Sequence, residues 1–212
     1  MADAGRVIAG SARGARLAAP GPGTRPFGDR AKQVLFAILE PDVAGAAVLD
    51  CCAGSGAGGI EALSRGASRA VFVDHDAAAC RTTAANLART GLASRAVVVR
   101  ADTGAYLAGR AAADGPFDIV IVDPPYAEAD LRRRVLEALG APGSPLGPDA
   151  RVVVSGPWRD RPPATLGLLR SKRERRVGET LLTFYRRVTA YAPAGQEPDQ
   201  AGRPAAAGAE GR

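Results

Sequence analysis

The chain has 212 residues, 46% of them hydrophobic, and a formal net charge of +6, enough for one α/β domain whose core needs neither disulfide nor metal. Three cysteines, Cys51 and Cys52 adjacent in an apolar run and Cys80 in a helical one, offer no metal-ligand spacing and no paired framework, which excludes zinc modules and disulfide scaffolds and points to a reducing cytoplasm. The first residues lack a signal-peptide core and no apolar run approaches membrane-spanning length, so the expectation is a soluble cytoplasmic protein, monomeric and without membrane contact.

In chain order, Arg6-Val7-Ile8-Ala9-Gly10 and Ala15-Arg16-Leu17 flank the small-residue turn Ser11-Ala12-Arg13-Gly14, the pattern of a β-hairpin. Pro20-Gly21-Pro22-Gly23 interrupts regular structure. Beyond it Ala31, Val34, Leu35, Ile38 and Leu39 recur at helical period, with Asp29 as expected N-cap and Pro41 as expected end. Ala47-Val48-Leu49 is a buried-strand run leading through Asp50 into the glycine turn Ala53-Gly54-Ser55-Gly56-Ala57-Gly58-Gly59 and a helix. The alternation then continues. Ala70–Val73 is a strand ending in Asp74, Asp76–Thr90 a helix closed by Gly91, and Ala96–Val99 a strand followed by Asp102. One helix is expected over Thr103–Ala113, then a strand from Phe117 to Val122 ending in Asp123-Pro124-Pro125-Tyr126, a helical face of Leu131, Val135, Leu136 and Leu139, and a strand at Arg151–Val154. Leu168–Arg176 and Glu179–Arg187 flank Val177-Gly178 as an antiparallel pair, and the alanine-, glycine- and proline-rich residues 191–212 read as a disordered tail. Strands alternating with helices argue a mainly parallel sheet covered on both faces.

Charge is concentrated at the two ends. Residues 1–32 carry Arg6, Arg13, Arg16, Arg25, Arg30 and Lys32 against two carboxylates, and residues 170–187 carry seven cations against two. Basic segments flanking a neutral middle suit a polyanion such as RNA, held through its phosphates.

The chemistry is written at strand ends. A strand feeding a helix through a glycine turn lets backbone approach a nucleotide closely. Asp50 ahead of the turn would repel a pyrophosphate and attract a cation, which favours S-adenosylmethionine over a dinucleotide. Asp50, Asp74, Asp102 and Asp123 each fall at or just past a strand's carboxyl end, where α/β sheets bind ligands. Asp74 has the spacing of an acid that takes ribose hydroxyls. In Asp123-Pro124-Pro125-Tyr126 the prolines stiffen the turn and can aim a carbonyl. Hydrogen bonds from a nucleobase amino group to the Asp123 carboxylate and the Pro124 carbonyl would localise its lone pair, with Tyr126 stacking on the base.

These motifs, with Arg6-Val7-Ile8-Ala9-Gly10, Thr24-Arg25-Pro26, Asp29-Arg30, Leu35-Phe36 and Glu61-Ala62-Leu63-Ser64-Arg65-Gly66-Ala67, give a chain that resembles the bacterial small-subunit rRNA guanine-N2 methyltransferases, the RsmD family, over roughly residues 5–188. The resemblance implies a Rossmann-like class I methyltransferase with a mainly parallel seven-stranded sheet, an antiparallel C-terminal strand pair and a small N-terminal hairpin. The expected organisation is a basic extension over residues 1–28, a methyltransferase domain over 29–190 and the tail over 191–212. It implies methyl transfer from S-adenosylmethionine to N2 of a guanine in 16S rRNA, of the position-966 type, in the small subunit or an assembly intermediate, without a metal.

By position, Asp50 with the backbone of Ala53, Gly54, Ser55 and Gly56 would hold the methionine end, Asp74 the ribose and Asp102 the adenine amino group. Asp123, Pro124 and Tyr126 would hold the target base, and Arg6, Arg13, Arg16, Arg25 and Arg30 would meet RNA. Three positions depart from the family pattern. Ala12 replaces an aromatic residue and Phe27 a threonine, both bearing on RNA contact; Ser155 replaces a glutamate, so that acid is not essential to the chemistry. The other readings are an amino-group methyltransferase acting on DNA adenine or a protein glutamine, and a non-catalytic RNA-binding assembly protein.

Overall fold

The computed structural model describes residues 3–21 and 28–188. Arg25, Phe27 and the expected tail over 191–212 lie outside the described residues. The hairpin forms from β1 (Asp3–Arg6) and β2 (Arg16–Ala18), paired antiparallel as a separate two-stranded sheet. Its first strand lies earlier than the sequence pattern suggests, because Ile8 and Ala9 spend their backbone N–H groups on the buried Glu61 rather than on a partner strand.

The main sheet contains β3 (Ala47–Cys51), β4 (Arg69–Asp74), β5 (Ala96–Arg100), β6 (Phe117–Val122), β7 (Leu146–Pro157), β8 (Thr165–Leu166), β9 (Leu169–Val177) and β10 (Thr180–Arg187). The order is β5-β4-β3-β6-β7-β10-β9-β8. The first five strands are mutually parallel, and β10, β9 and β8 are antiparallel to their neighbours. The sheet therefore has eight strands, one more than expected. The addition is β8, a two-residue strand with no apolar run to announce it. β5 closes the other edge and exposes Val97, 45% accessible.

Alternating side chains supply two cores. α1 (Asp29–Val43), α2 (Ala57–Ser64) and α3 (Ala77–Thr90) pack with Leu35, Ile60 and Leu87 on one face, against Val48, Phe72, Ile121 and Phe184 of the strands. On the other, α4 (Thr103–Ala108), α5 (Ala111–Asp114) and α6 (Ala129–Gly140) bring Tyr106, Ala111 and Leu136 against Leu49, Val73, Val120 and Tyr185. α4 and α5 correct the single helix expected over Thr103–Ala113: Gly109 leaves helical backbone and caps α4. Asp29 is the first residue of α1 and not its cap, which is Gly28, and Pro41 lies inside the last turn rather than ending the helix. Among the described residues no helix is long and apolar enough to cross a membrane.

The hairpin shares the first core. Ala4, Val7 and Leu17 are at most 2% exposed and belong to the cluster that contains Phe36 and Leu63. Lys32, fully buried, donates to the Arg6 carbonyl at 2.6 Å and pairs with Asp29 at 3.1 Å, tying β1 to the start of α1.

Candidate active site

The parallel order reverses on either side of β3, so the carboxyl ends of β3 and β6 diverge into a crevice. Asp50 is the penultimate residue of β3, 3% exposed, and its Oδ2 accepts the Gly59 N–H of α2 at 2.7 Å. Among the described residues no Lys or Arg forms an ion pair with it. Burial pushes the Asp50 carboxyl up to about 8, with the negative charges of Asp123 and Asp74 adding to the rise and the Gly59 N–H opposing it.

The glycine turn is held from both sides. Asp74 at the end of β4 accepts the Gly54 N–H at 2.8 Å with one oxygen and the Asp76 N–H at 2.9 Å with the other. From α3, the Thr83 hydroxyl donates to the Gly54 carbonyl at 3.0 Å and the Asn86 amide to the Ser55 carbonyl at 2.8 Å. Gly56 has φ +76°, and a Cβ there would stand 2.8 Å from Thr83 Cγ2, so both backbone and space require glycine. Asn86 also exchanges two 2.9 Å hydrogen bonds with Ala18 of β2, linking hairpin and turn through one side chain. Nothing in the sequence motifs marks Thr83 and Asn86. The available signal was two polar residues at i and i+3 on the same stripe of α3 as the buried Ala79 and Leu87.

At the end of β6, the Asp123 carboxylate accepts the Ser155 hydroxyl of β7. Pro124 is buried and Pro125 exposed, and the Glu128 N–H closes the turn on the Pro125 carbonyl at 2.9 Å before α6 begins. The Tyr126 hydroxyl donates to Thr180 Oγ1 of β10 at 2.7 Å. Ser155 and Thr180, both under 10% exposed, thus set the Asp123 and Tyr126 side chains from the antiparallel half of the sheet. Thr180 had no signal in the sequence, because it reaches the site only through the β7–β10 register that places it opposite Pro157.

One cleft of about 750 Å³ joins these groups, within the range of small-molecule sites. Asp50, Ala53, Gly54, Ser55 and Asp74 line one part of it, and Asp123, Pro124, Pro125 and Tyr126 another. Arg30 from the first turn of α1 also lines it, as does the exposed His75. Asp102 stands outside the wall: it is exposed and caps α4, accepting the Ala105 N–H at 2.9 Å. Arg6, Arg13 and Arg16 are exposed on the hairpin, with Arg6 paired to Asp29 at 3.7 Å and Arg16 to Asp3 at 3.1 Å. Among the described residues no group of three or more His, Cys, Asp or Glu is placed to hold a metal.

A doubly wound sheet with an antiparallel final strand pair, and a glycine turn facing an Asp-Pro-Pro-Tyr turn across its switch point, define a Rossmann-like methyltransferase. The profile of the family described as "Conserved hypothetical protein 95" matches residues 5–186. A Bacillus subtilis (strain 168) protein named "Putative rRNA methyltransferase YlbH" is 36% identical over 183 residues, which are 86% of this chain and 98% of that protein. The Escherichia coli (strain K12) "Ribosomal RNA small subunit methyltransferase D" is 43% identical over 133 residues, 62% of this chain and 63% of that protein. Among solved structures, the Escherichia coli "Putative methyltransferase yhhF" superposes with a TM-score of 0.75 at 35% identity, covering 87% of this chain and 98% of that one. The chain belongs to the RsmD family of methyltransferases.

Proposed function

We propose that this protein transfers the methyl group of S-adenosylmethionine to the exocyclic N2 amino group of a guanine in 16S rRNA, within the small ribosomal subunit or an assembly intermediate. The observation that carries the reading is the single cleft that brings a buried carboxylate and glycine turn together with the Asp-Pro-Pro-Tyr turn. The rRNA named for relatives at 36% and 43% identity supports the substrate class, and the two basic ends of the chain agree with it.

The donor set fits the cofactor. Asp50 is a buried carboxylate with no Lys or Arg paired to it among the described residues, so the cationic amino end of a methionine moiety completes its electrostatics. The backbone of Ala53, Gly54 and Ser55 borders that end, while Gly56 lies behind the cleft wall and shapes the turn, and each Asp74 oxygen keeps a lone pair for a ribose hydroxyl. The assignment of Asp102 to the adenine amino group rests on the resemblance alone. When bound, S-adenosylmethionine supplies a methyl group already activated by its sulfonium.

What the chain must do is present a poor nucleophile in line. The Asp123 carboxylate, oriented by Ser155, and the Pro124 carbonyl accept the two N–H groups of the guanine amine and turn its lone pair outward. Tyr126, anchored through Thr180, offers its ring to the base, a contact worth about 1–3 kcal/mol. Positioning of this kind accounts for about 7–11 kcal/mol in favourable intramolecular cases, so no strong general base is required. Residues 29–190 act as the catalytic domain, and the basic extension over 1–28 presents Arg6, Arg13, Arg16 and Arg25 to RNA, with Arg30 at the cleft.

The test is to incubate the protein with isotopically labelled S-adenosylmethionine and unmodified small subunits, digest the RNA to nucleosides and measure labelled N2-methylguanosine by mass spectrometry. Label in that nucleoside supports the reading. Label in another nucleoside or in protein, or none despite measured cofactor binding, overturns the substrate.

A further inference from the structure

We propose that Trp158, Arg159 and Arg176 form a second nucleic-acid contact, a rim platform that holds a single-stranded nucleotide flanking the target guanine. The proposal rests on the rRNA reading above and adds to it a site that the hairpin and the cleft do not include.

The platform is placed by the sheet. β7 ends at Pro157, opposite Thr180, which lines the cleft and bonds Tyr126. Trp158 is the next residue along the chain, half-buried, and its N–H continues the β7–β10 ladder onto Glu179, the residue before Thr180. Two guanidinium groups lie over the indole, that of Arg176 at 3.9 Å from a ring centroid and that of Arg159 at 4.3 Å. A guanidinium over an aromatic face keeps in-plane N–H donors for other partners.

The segment carrying it is tied down at several points. The Trp158 N–H donates to the Glu179 carbonyl at 3.0 Å, and its Nε1–H to Glu179 Oε2 at 3.0 Å. The Asp160 N–H returns to the Pro157 carbonyl at 3.0 Å, the buried Arg132 pairs with Asp160, and Arg161 pairs with Glu174 at 2.7 Å. A surface segment fixed in this way is preorganised, so little ordering cost remains for a ligand.

Its chemistry selects the ligand. An aromatic side chain with stacked guanidiniums is the combination that takes unstacked bases and phosphates of single-stranded RNA. Exposed Lys172, Arg173 and Arg175 on β9 extend the positive charge. Glu179 is the counter-charge, pairing with Arg159 at 3.4 Å and Arg176 at 3.5 Å through an exposed side chain. Exposed pairs of that length are weak and exchangeable, and an RNA phosphate replaces the carboxylate. The platform therefore makes a prediction of opposite signs: removing Trp158 or Arg176 weakens RNA binding, whereas neutralising Glu179 strengthens it.

The experiment uses the full chain, a fluorescein-labelled RNA stem-loop with a single-stranded guanine, and anisotropy titrations over a range of salt. Trp158→Ala and Arg176→Ala are expected to weaken binding about fivefold to tenfold, Trp158→Phe to recover most of the loss, and Arg176→Ala to lower the salt slope by about one. Glu179→Gln is expected to tighten binding. Cofactor affinity, measured by calorimetry, stays at the wild-type value in all four variants, and in subunit methylation the loss falls on KM more than on kcat. If Trp158→Ala proves too unstable to assay, Arg176→Ala and Glu179→Gln carry the same test.

RNA affinity within twofold of wild type for Arg176→Ala, or weaker binding by Glu179→Gln, overturns the platform. RNA binding with the expected variant pattern but no N2-methylguanosine leaves the platform standing and removes the guanine reading. Methylated subunits with variants indistinguishable from wild type do the reverse.

Discussion

Replacing Asp50 by Asn tests whether a buried acid waits for a cation. The carboxyl has an ordinary value of 3.8 and is raised to about 8 in the fold. An acid raised by folding keeps its proton where the unfolded chain has lost it, so stability is fully present below about pH 4 and is lost as pH rises toward 8. At about 1.4 kcal/mol per unit, the wild type gives up roughly 2–3 kcal/mol between pH 5 and pH 7 that Asp50→Asn retains. Binding runs the other way. A cationic amino group pairs with the ionised form, so S-adenosylmethionine affinity rises about tenfold from pH 6 to pH 7, and about one proton is released per cofactor bound at pH 7. Titration calorimetry in two buffers of different ionisation enthalpy measures that proton directly. Asp50→Asn is expected to bind weakly, with no proton release and no rise with pH. Wild-type binding without proton release, or undiminished affinity in the variant, would refute the assignment.

Asp123→Ala is expected to abolish methyl transfer while calorimetric cofactor affinity stays within a few-fold of wild type, and normal turnover would remove the proposed role. Glu61→Ala leaves the N–H groups of Ile8 and Ala9 without an acceptor and takes the 2.7 Å partner from Arg65 Nε, whose guanidinium keeps Glu40, so chemical denaturation should register a loss of roughly 2–5 kcal/mol. Gly59→Ala places a methyl 2.4 Å from Phe72 Cε1 beneath the glycine turn. A loss of about 1–3 kcal/mol is expected, visible as a lower thermal midpoint, with weaker cofactor binding as α2 shifts.

The parallel half of the fold was legible because its signals are local. Runs such as Ile119-Val120-Ile121-Val122 are buried on both faces, and a carboxylate or glycine turn marks where each strand stops. The same locality made Asp50, Asp74 and the Asp123–Tyr126 turn readable, and the cleft does gather them. What escaped depends on contacts distant in sequence. Glu61 reads as an ordinary polar helix residue until the hairpin covers it, and Lys32 as one more basic residue until Arg6 and Asp29 enclose it. In the sequence Ser155 stands out only for the acid it lacks, whereas β7 aims its hydroxyl at Asp123. Pro41 has the pattern of a stop, yet a proline in the last turn sacrifices one N–H to a helix already held by Leu39 and Val43 in the core.

The two edges of the main sheet are unequal. On one side β8 is only two residues long and leaves little ladder to extend. On the other, β5 presents a five-residue strand with three consecutive valines, the outward one being Val97. Unpaired strand backbone recruits other strands, so self-association of concentrated protein should proceed through β5, with Arg95 and Arg100 at its flanks as the natural restraint. A lysine in place of Val97 is the single change to introduce before preparing concentrated samples.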